Sequence, residues 1–239
     1  VAFAAAMSAH PTEATMLFTR RHWLLGTTLA STATLSLPAR AGATGAARGG
    51  GSSAPQIDPI PAPPATPTPG RPGDFDFLTG EWRIEHWQPR SDGSWQNFQG
   101  EASVFGLLDG VASIEELRIP SRGFSGLGLR LLDRERQAWS DSWVNARAAV
   151  LDGPGQPGSF EDGAGIFHSE EVDGAVTVHY VGIWDRITPQ GCRWRQASSR
   201  DRGRVWEQSW IMEWTRVDRR PRLQRALLDA IARGDVGLT

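Results

Sequence analysis

Two histidines, an aspartate and a row of tryptophans are the residues of this 239-residue chain whose types and spacing can do chemistry. Asp173-Gly174 is a two-residue hairpin signal between two alternating apolar runs, 166–169 and 176–184. With Val172 facing Ala175, the register carried outward sets His168 opposite His179. Cross-strand partners share a face, with Cβ atoms about 4.5–5.5 Å apart. Two histidines so placed can ligate a metal or share a proton. The same placement also describes a surface pair or a buried hydrogen-bonded pair, and a slip of one residue in one strand separates them. A zinc site wants a third ligand, for which His86 or a carboxylate is available.

In Trp139-Ser140-Asp141-Ser142-Trp143, Asp141 lies between two indoles on one strand face. If that face is inward, desolvation raises the carboxyl pKa, which suits acid–base catalysis. The plainer reading is a strand-end Asp bonded to backbone or to an Arg. Glu115 and Glu116 fall on opposite faces, so one points inward, as an ion-pair partner or as an orienting group for a polar ligand. Trp206, Trp210, Met212 and Trp214 recur at even spacing on one face. Such a stripe builds a core, or lines a pocket, because indole combines a large apolar face with one donor. Tyr180 points away from the His179 face and joins Trp139, Trp143, Trp206, Trp210 and Met212 as candidate ligand-lining residues. Cys192 reads as an inert buried thiol. As the chain's single cysteine it excludes an intramolecular disulfide. There is no phosphate-cradling Gly loop and no nucleophile elbow.

The elements that must position these residues are strands. From 82 to 217 the hydropathy has period two and is punctuated by turn residues, Asp109-Gly110 among them. This predicts nine or ten short antiparallel strands in an all-β meander. Closure into a barrel removes the exposed edges such a meander would leave, and a barrel of about eight strands can hold one small ligand. Ten of the eleven Trp lie between Trp82 and Trp214. All 25 basic residues are Arg, and the net charge of −2 argues against a dedicated nucleic-acid binder.

The opening Phe77-Leu78-Thr79-Gly80-Glu81-Trp82 and the closing Trp214-Thr215-Arg216 resemble lipocalin-like (calycin-like) barrels. They are also similar to a bacterial exported family of unknown function with the opening Phe-Leu-x-Gly-x-Trp. The resemblance covers about 74–217. It implies a lipocalin-like barrel in which Gly80 and Trp82 open the first strand and Arg216 packs over Trp82. It also brings haem into view, since some such barrels hold haem through one His; His86, His168 and His179 are the candidates.

Before the barrel, Arg20-Arg21 precedes an apolar run from 24 to 37 and a small-residue cleavage pattern at 38–41. This reads as a secretory signal peptide over 1–41, similar to the twin-arginine type, and predicts a periplasmic or secreted bacterial protein. The apolar run is shorter than the ~20 residues that span a bilayer, so no transmembrane segment is expected after signal removal. Residues 42–73 hold eight Pro from Pro55 to Pro72 and read as a disordered linker. An amphipathic helix is predicted over 218–234, with Asp218 as cap, Pro221 in the first turn and Leu223, Leu227 and Ile231 on one stripe. It packs on the barrel wall, or uses Arg219, Arg220, Arg222 and Arg225 to lie on an anionic membrane.

The resulting expectation is an exported barrel that binds a small apolar or aromatic ligand. Its first alternative is a barrel hydrolase, lyase or isomerase using His168, His179 and Asp141. Its second is a haem-binding or metal-binding barrel. Sequence leaves the cofactor and the oligomeric state open.

Overall fold

The computed structural model describes residues 54–62, 67–151 and 153–235. The signal-like stretch 1–41 lies outside the described residues. Ten strands follow in order: β1 (Gly80–Pro89), β2 (Trp95–Leu107), β3 (Ala112–Ile119), β4 (Phe124–Asp133), β5 (Ala138–Asn145), β6 (Gln156–Glu161), β7 (Ala164–Asp173), β8 (Val176–Asp185), β9 (Gly191–Ser199) and β10 (Glu207–Asp218). One helix, α1 (Arg222–Ala232), comes last. Each strand pairs antiparallel with its sequence neighbours, and β1 pairs with β10 to close the barrel. The all-β meander with a C-terminal helix is therefore observed as expected.

Closure rests on one end of the barrel. The Arg216 guanidinium lies 4.1 Å from the centre of the Trp82 ring. It donates to the carbonyls of Thr79 and Phe77 and, through Nε, to Pro189 at 2.8 Å. The Trp82 indole in turn donates to the Leu78 carbonyl at 2.7 Å. The Phe77 and Leu78 carbonyls belong to a short 3-10 turn, Asp76–Leu78, that precedes β1, and Thr79 is its C-terminal cap. The turn pushes Phe75 and Phe77 up into the barrel, where Phe75 meets Trp139 and Phe160 edge-on, each with ring centres 4.9 Å apart. Gly80 permits this. Its φ is +135°, and a Cβ there would collide with the Asp218 carbonyl and lie 2.9 Å from Arg216 Nη1.

The outer wall is unusual on the β7–β10 side. Val181, Ile183 and Ala197 form a buried cluster there, joined by Ile166, Trp206 and Ile60. Arg193 and Arg195 also point outward yet are buried. Their cover is the 54–62 segment. The Asp58 carboxylate accepts from Arg193 Nη2 at 2.5 Å and from Arg186 Nη2 at 2.8 Å. Arg195 Nη1 donates to the Asp58 carbonyl at 2.9 Å, and Asp185 bridges both arginines. A second piece, 67–73, is tied at the closed end by Gly70 N–H to the Gln137 carbonyl and Gly73 N–H to the Gly110 carbonyl. The expectation of an unpacked linker over 42–73 does not hold for these two pieces. A buried guanidinium needs carboxylate and carbonyl partners, and this stretch supplies them. The residues of 42–73 outside them are not among the described ones.

Two more corrections follow from register. Asp173 pairs with Val176, so the β7–β8 loop is Gly174-Ala175. The whole register therefore moves, and His179 faces Glu170 while His168 faces Val181. On β10 a bulge between Gln208 and Trp210 changes the phase of the strand. Trp206 consequently lies in the outer cluster, and only Trp210, Met212 and Trp214 of the predicted stripe face inward.

Replacing Gly80 with Ala forces both the collision and the positive φ on a residue with a side chain. The variant is expected to lose about 2 kcal/mol or more of stability in denaturant unfolding. An unchanged midpoint would show that the β1 start is free to relax.

Candidate functional site

Strands β3, β4 and β5 bring three charged side chains together on the inner wall. Glu115 lies opposite Gly128, and Arg130 lies opposite Asp141. Gly128 leaves the space the pair needs, since a Cβ there would sit 3.0 Å from Arg130 Nη2 and 3.2 Å from Glu115 Oε2. Arg130 Nη2 donates to Glu115 Oε2 at 2.5 Å, and Arg130 Nε is 3.5 Å from Asp141 Oδ1. The Phe75 and Trp184 rings each lie 5.3 Å from the guanidinium carbon. Glu115 and Arg130 are almost fully buried, whereas the Asp141 side chain keeps 17% of its exposure. Burial pushes the Glu115 carboxyl above its ordinary pKa, against the pull of Arg130. Burial also disfavours the Arg130 charge, but Asp141 and Glu115 outweigh it and raise the guanidinium pKa. Two Arg130 nitrogens, Nε and Nη1, have no hydrogen-bond partner among the described residues.

Below this set the barrel is filled by aromatic rings. Trp184 meets Trp214 edge-on at 5.4 Å, and Trp82 meets Trp214 at 5.7 Å. Above it the inner wall changes character. The inward residues Trp143, Gln156, Ser169, Trp194 and Gln196 are all only half-buried, while Tyr180 and Trp210 are buried beside them. Exposure of inward, mid-strand side chains means that solvent enters the barrel from this end. The ladder is also short here, with Gly155 packed against Ser140 and Ser142. β5 and β6 pair only at Trp139, Ser140 and Asp141, so no ladder joins them beyond Asp141. Gly126 makes room for Trp143, because a Cβ there would collide with the indole. Gln156 Nε2 donates to Ser169 Oγ at 2.8 Å on the neighbouring strand β7.

His86 belongs to the same wall but is held shut. Trp210 Nε1 donates to His86 Nδ1 at 3.1 Å, and the imidazole stacks on Phe98 at 4.9 Å. Its Nε2 lies against Gly100, where a Cβ would collide with it. Burial, with a smaller push from Arg122, lowers its pKa to about 3, so the ring is neutral. An axial ligand to haem needs Nε2 directed into open space, which this ring lacks.

The predicted residues divide as follows. Asp141, Trp143, Tyr180, Trp210 and Met212 face inward. Trp139 also faces inward but is buried in the closed end, its indole donating to Asp74 Oδ2 at 3.0 Å. Gly80, Trp82 and Arg216 serve closure. His168 and His179 lie on the outer wall, opposite in face to Asp141, so the expected acid–base trio does not assemble. His179 Nδ1 pairs with Glu170 Oε1 at 3.1 Å instead. Among the described residues no group of three or more His, Cys, Asp or Glu could hold a metal, which leaves the expected His168–His179 metal pair without a third ligand. The residues that sequence reasoning missed are Arg130, Trp194 and Gln156. Arg130 carries a weak signal, being a charged residue in phase with Leu132, Gly128 and Gly126 on an otherwise apolar inner face.

Comparison with known proteins finds no matching family model and no matching curated protein. Among solved structures the chain is similar to the S-type phycobiliprotein lyase CPES from Guillardia theta, at 10% identity and a TM-score of 0.39, over 59% of this chain and 89% of that one. It is also similar to a protein of unknown function of the DUF3598 family from Nostoc punctiforme, at 16% identity and a TM-score of 0.36, over 64% of this chain and 53% of that one. The chain thus spans about half the length of the second protein.

The low pKa of His86 has a consequence for stability. The unfolded chain takes up a proton near pH 6.5, and the folded chain does so only near pH 3. Stability present above pH 6.5 is lost as the pH falls, at about 1.4 kcal/mol per pH unit for this group. His168, whose pKa is lowered chiefly by burial, adds a loss of the same sign. Chemical denaturation between about pH 6.5 and 5 should show this slope, and His86→Gln should flatten most of it. An equal slope in the variant would mean that His86 is accessible to protons in the folded state.

Proposed function

We propose that the protein is a small-molecule-binding barrel that takes a planar, largely apolar ligand into the cup above Arg130. One observation carries the reading. Half-buried Trp143 and Trp194 stand with Tyr180 and Trp210 over a buried guanidinium whose Nη1 has no hydrogen-bond partner among the described residues and whose Nε has only the longer ion pair to Asp141. Pockets of this kind pair aromatic walls with a few fixed polar groups. The rings bury the ligand body. Arg130, held by Glu115 and Asp141, offers donors to an acceptor such as a carbonyl or carboxylate at the ligand's end. The opening and closing motifs, with Arg216 over Trp82, support kinship with lipocalin-like barrels. The Arg20-Arg21 stretch supports export to the periplasm or beyond. Nothing in the geometry favours the acid–base reading, because its histidines stand outside the barrel.

Anilinonaphthalene sulfonate is a suitable probe, being planar, apolar and fluorescent with an acceptor end. Trp143→Ala and Arg130→Gln should each weaken its binding about tenfold, the scale of one lost aromatic contact or charge-assisted hydrogen bond. His168→Ala and His179→Ala should leave it within twofold. Thermal melting separates loss of the site from loss of the fold. Wild-type affinity in folded Trp143→Ala and Arg130→Gln, or a large loss in the histidine variants, would move the site elsewhere. For export, amino-terminal sequencing of the protein recovered outside the cytoplasm should begin near residue 42. A chain that still begins upstream of Arg20 and stays inside the cell would overturn that part of the reading.

A further inference from the structure

α1 does not pack on the barrel. None of its eleven residues is buried, and Leu223 and Leu227 are 72% and 52% exposed. The expectation that this stripe packs on the wall is thereby overturned. Its first turn is nevertheless tied to the barrel end. Glu81 Oε1 accepts from the Arg222 amide, and Asp218 pairs with Arg225. An amphipathic helix is thus tethered by its first turn with Leu223 and Leu227 of its apolar stripe in water and Ile231 half-buried.

Its surroundings are cationic, on a chain whose net charge is −2. Arg219 and Arg220 precede the helix. Arg83 and Arg222 line a cleft of about 500 Å³ beside its first turn. None of these four guanidinium groups has an ion pair among the described residues. The carboxylates lining the cleft are already engaged, Glu81 by Ser103 and the Arg222 amide, Glu101 by Arg118. The β2–β3 turn lies at the same end of the barrel and leaves Leu108 70% exposed. Apolar side chains and unpaired guanidinium groups together at one end match the two layers of a lipid surface, acyl chains beneath anionic headgroups.

We propose that α1 and the closed end of the barrel form a docking surface for an anionic membrane. Leu223 and Leu227 enter the acyl boundary, and Arg83, Arg219, Arg220 and Arg222 meet headgroup phosphates. The open cup then faces away from the bilayer. This inference is independent of the ligand reading and uses none of its residues.

The test is co-flotation of the full chain with vesicles of phosphatidylcholine, with or without phosphatidylglycerol. Phosphatidylglycerol should raise binding about tenfold or more. Leu223→Asp with Leu227→Asp should lower binding to both kinds of vesicle by about tenfold. Arg219→Gln, Arg220→Gln and Arg222→Gln together should erase the preference for phosphatidylglycerol. These residues are exposed, so melting and probe binding should stay unchanged. Three results would overturn the proposal. One is no flotation. Another is flotation equal in the variants. The third is a dimer by light scattering that the leucine variant splits, with no lipid preference, which would make the stripe a contact between two copies.

Discussion

Burying a guanidinium is the constraint on which this structure depends. Its charge must be matched at each site, and the match fixes whatever supplies the partners. Arg216 at the closed end takes carbonyls from the turn before β1 and so sets the Phe75–Phe77 plug. Arg193 and Arg195 on the outer wall take Asp58 and so hold the 54–62 segment. Arg130 inside takes Glu115 and Asp141 and so organises the floor of the cup. A chain whose basic residues are all Arg has only this group to use. The planar fork also lets one side chain bind several acceptors at once.

A second pattern follows. On β9 the usual sides are reversed. The outward Arg193, Arg195 and Ala197 are buried, while the inward Trp194, Gln196 and Ser198 are only half-buried. The outside is dry because the 54–62 segment and Trp206 cover it. The inside is wet because the aromatic plug fills only the closed end. A barrel of ten strands is wide, and its rings are spent on the lower half. The upper half is left as a cup whose walls are indoles and amides and whose base is a charged triad.

The fold was legible in the sequence because it rests on local signals. Alternation gave the strands, turn residues gave their ends, and Trp82 with Arg216 marked closure. That one of Glu115 and Glu116 points inward, and that Tyr180 faces away from His179, also followed from alternation alone, whereas which glutamate it is came only from the register. The site was legible only in part, since it depends on phase. A hairpin loop one residue further along than expected moved His179 from His168 to Glu170. One bulged residue on β10 carried Trp206 to the outside. Neither shift leaves a mark in composition. The role of Asp58 was hidden as well. It lies in a Pro-rich stretch with little to bury, and its partners are over a hundred residues away.

The interior above Arg130 is proposed as a binding site. The most direct measurement is a crystal structure of the protein with anilinonaphthalene sulfonate. The ring system should lie against Trp143 and Trp194, with the sulfonate within hydrogen-bond distance of Arg130. Probe seated only on the outer cluster around Trp206 or on the α1 stripe, with the cup holding none, would contradict it.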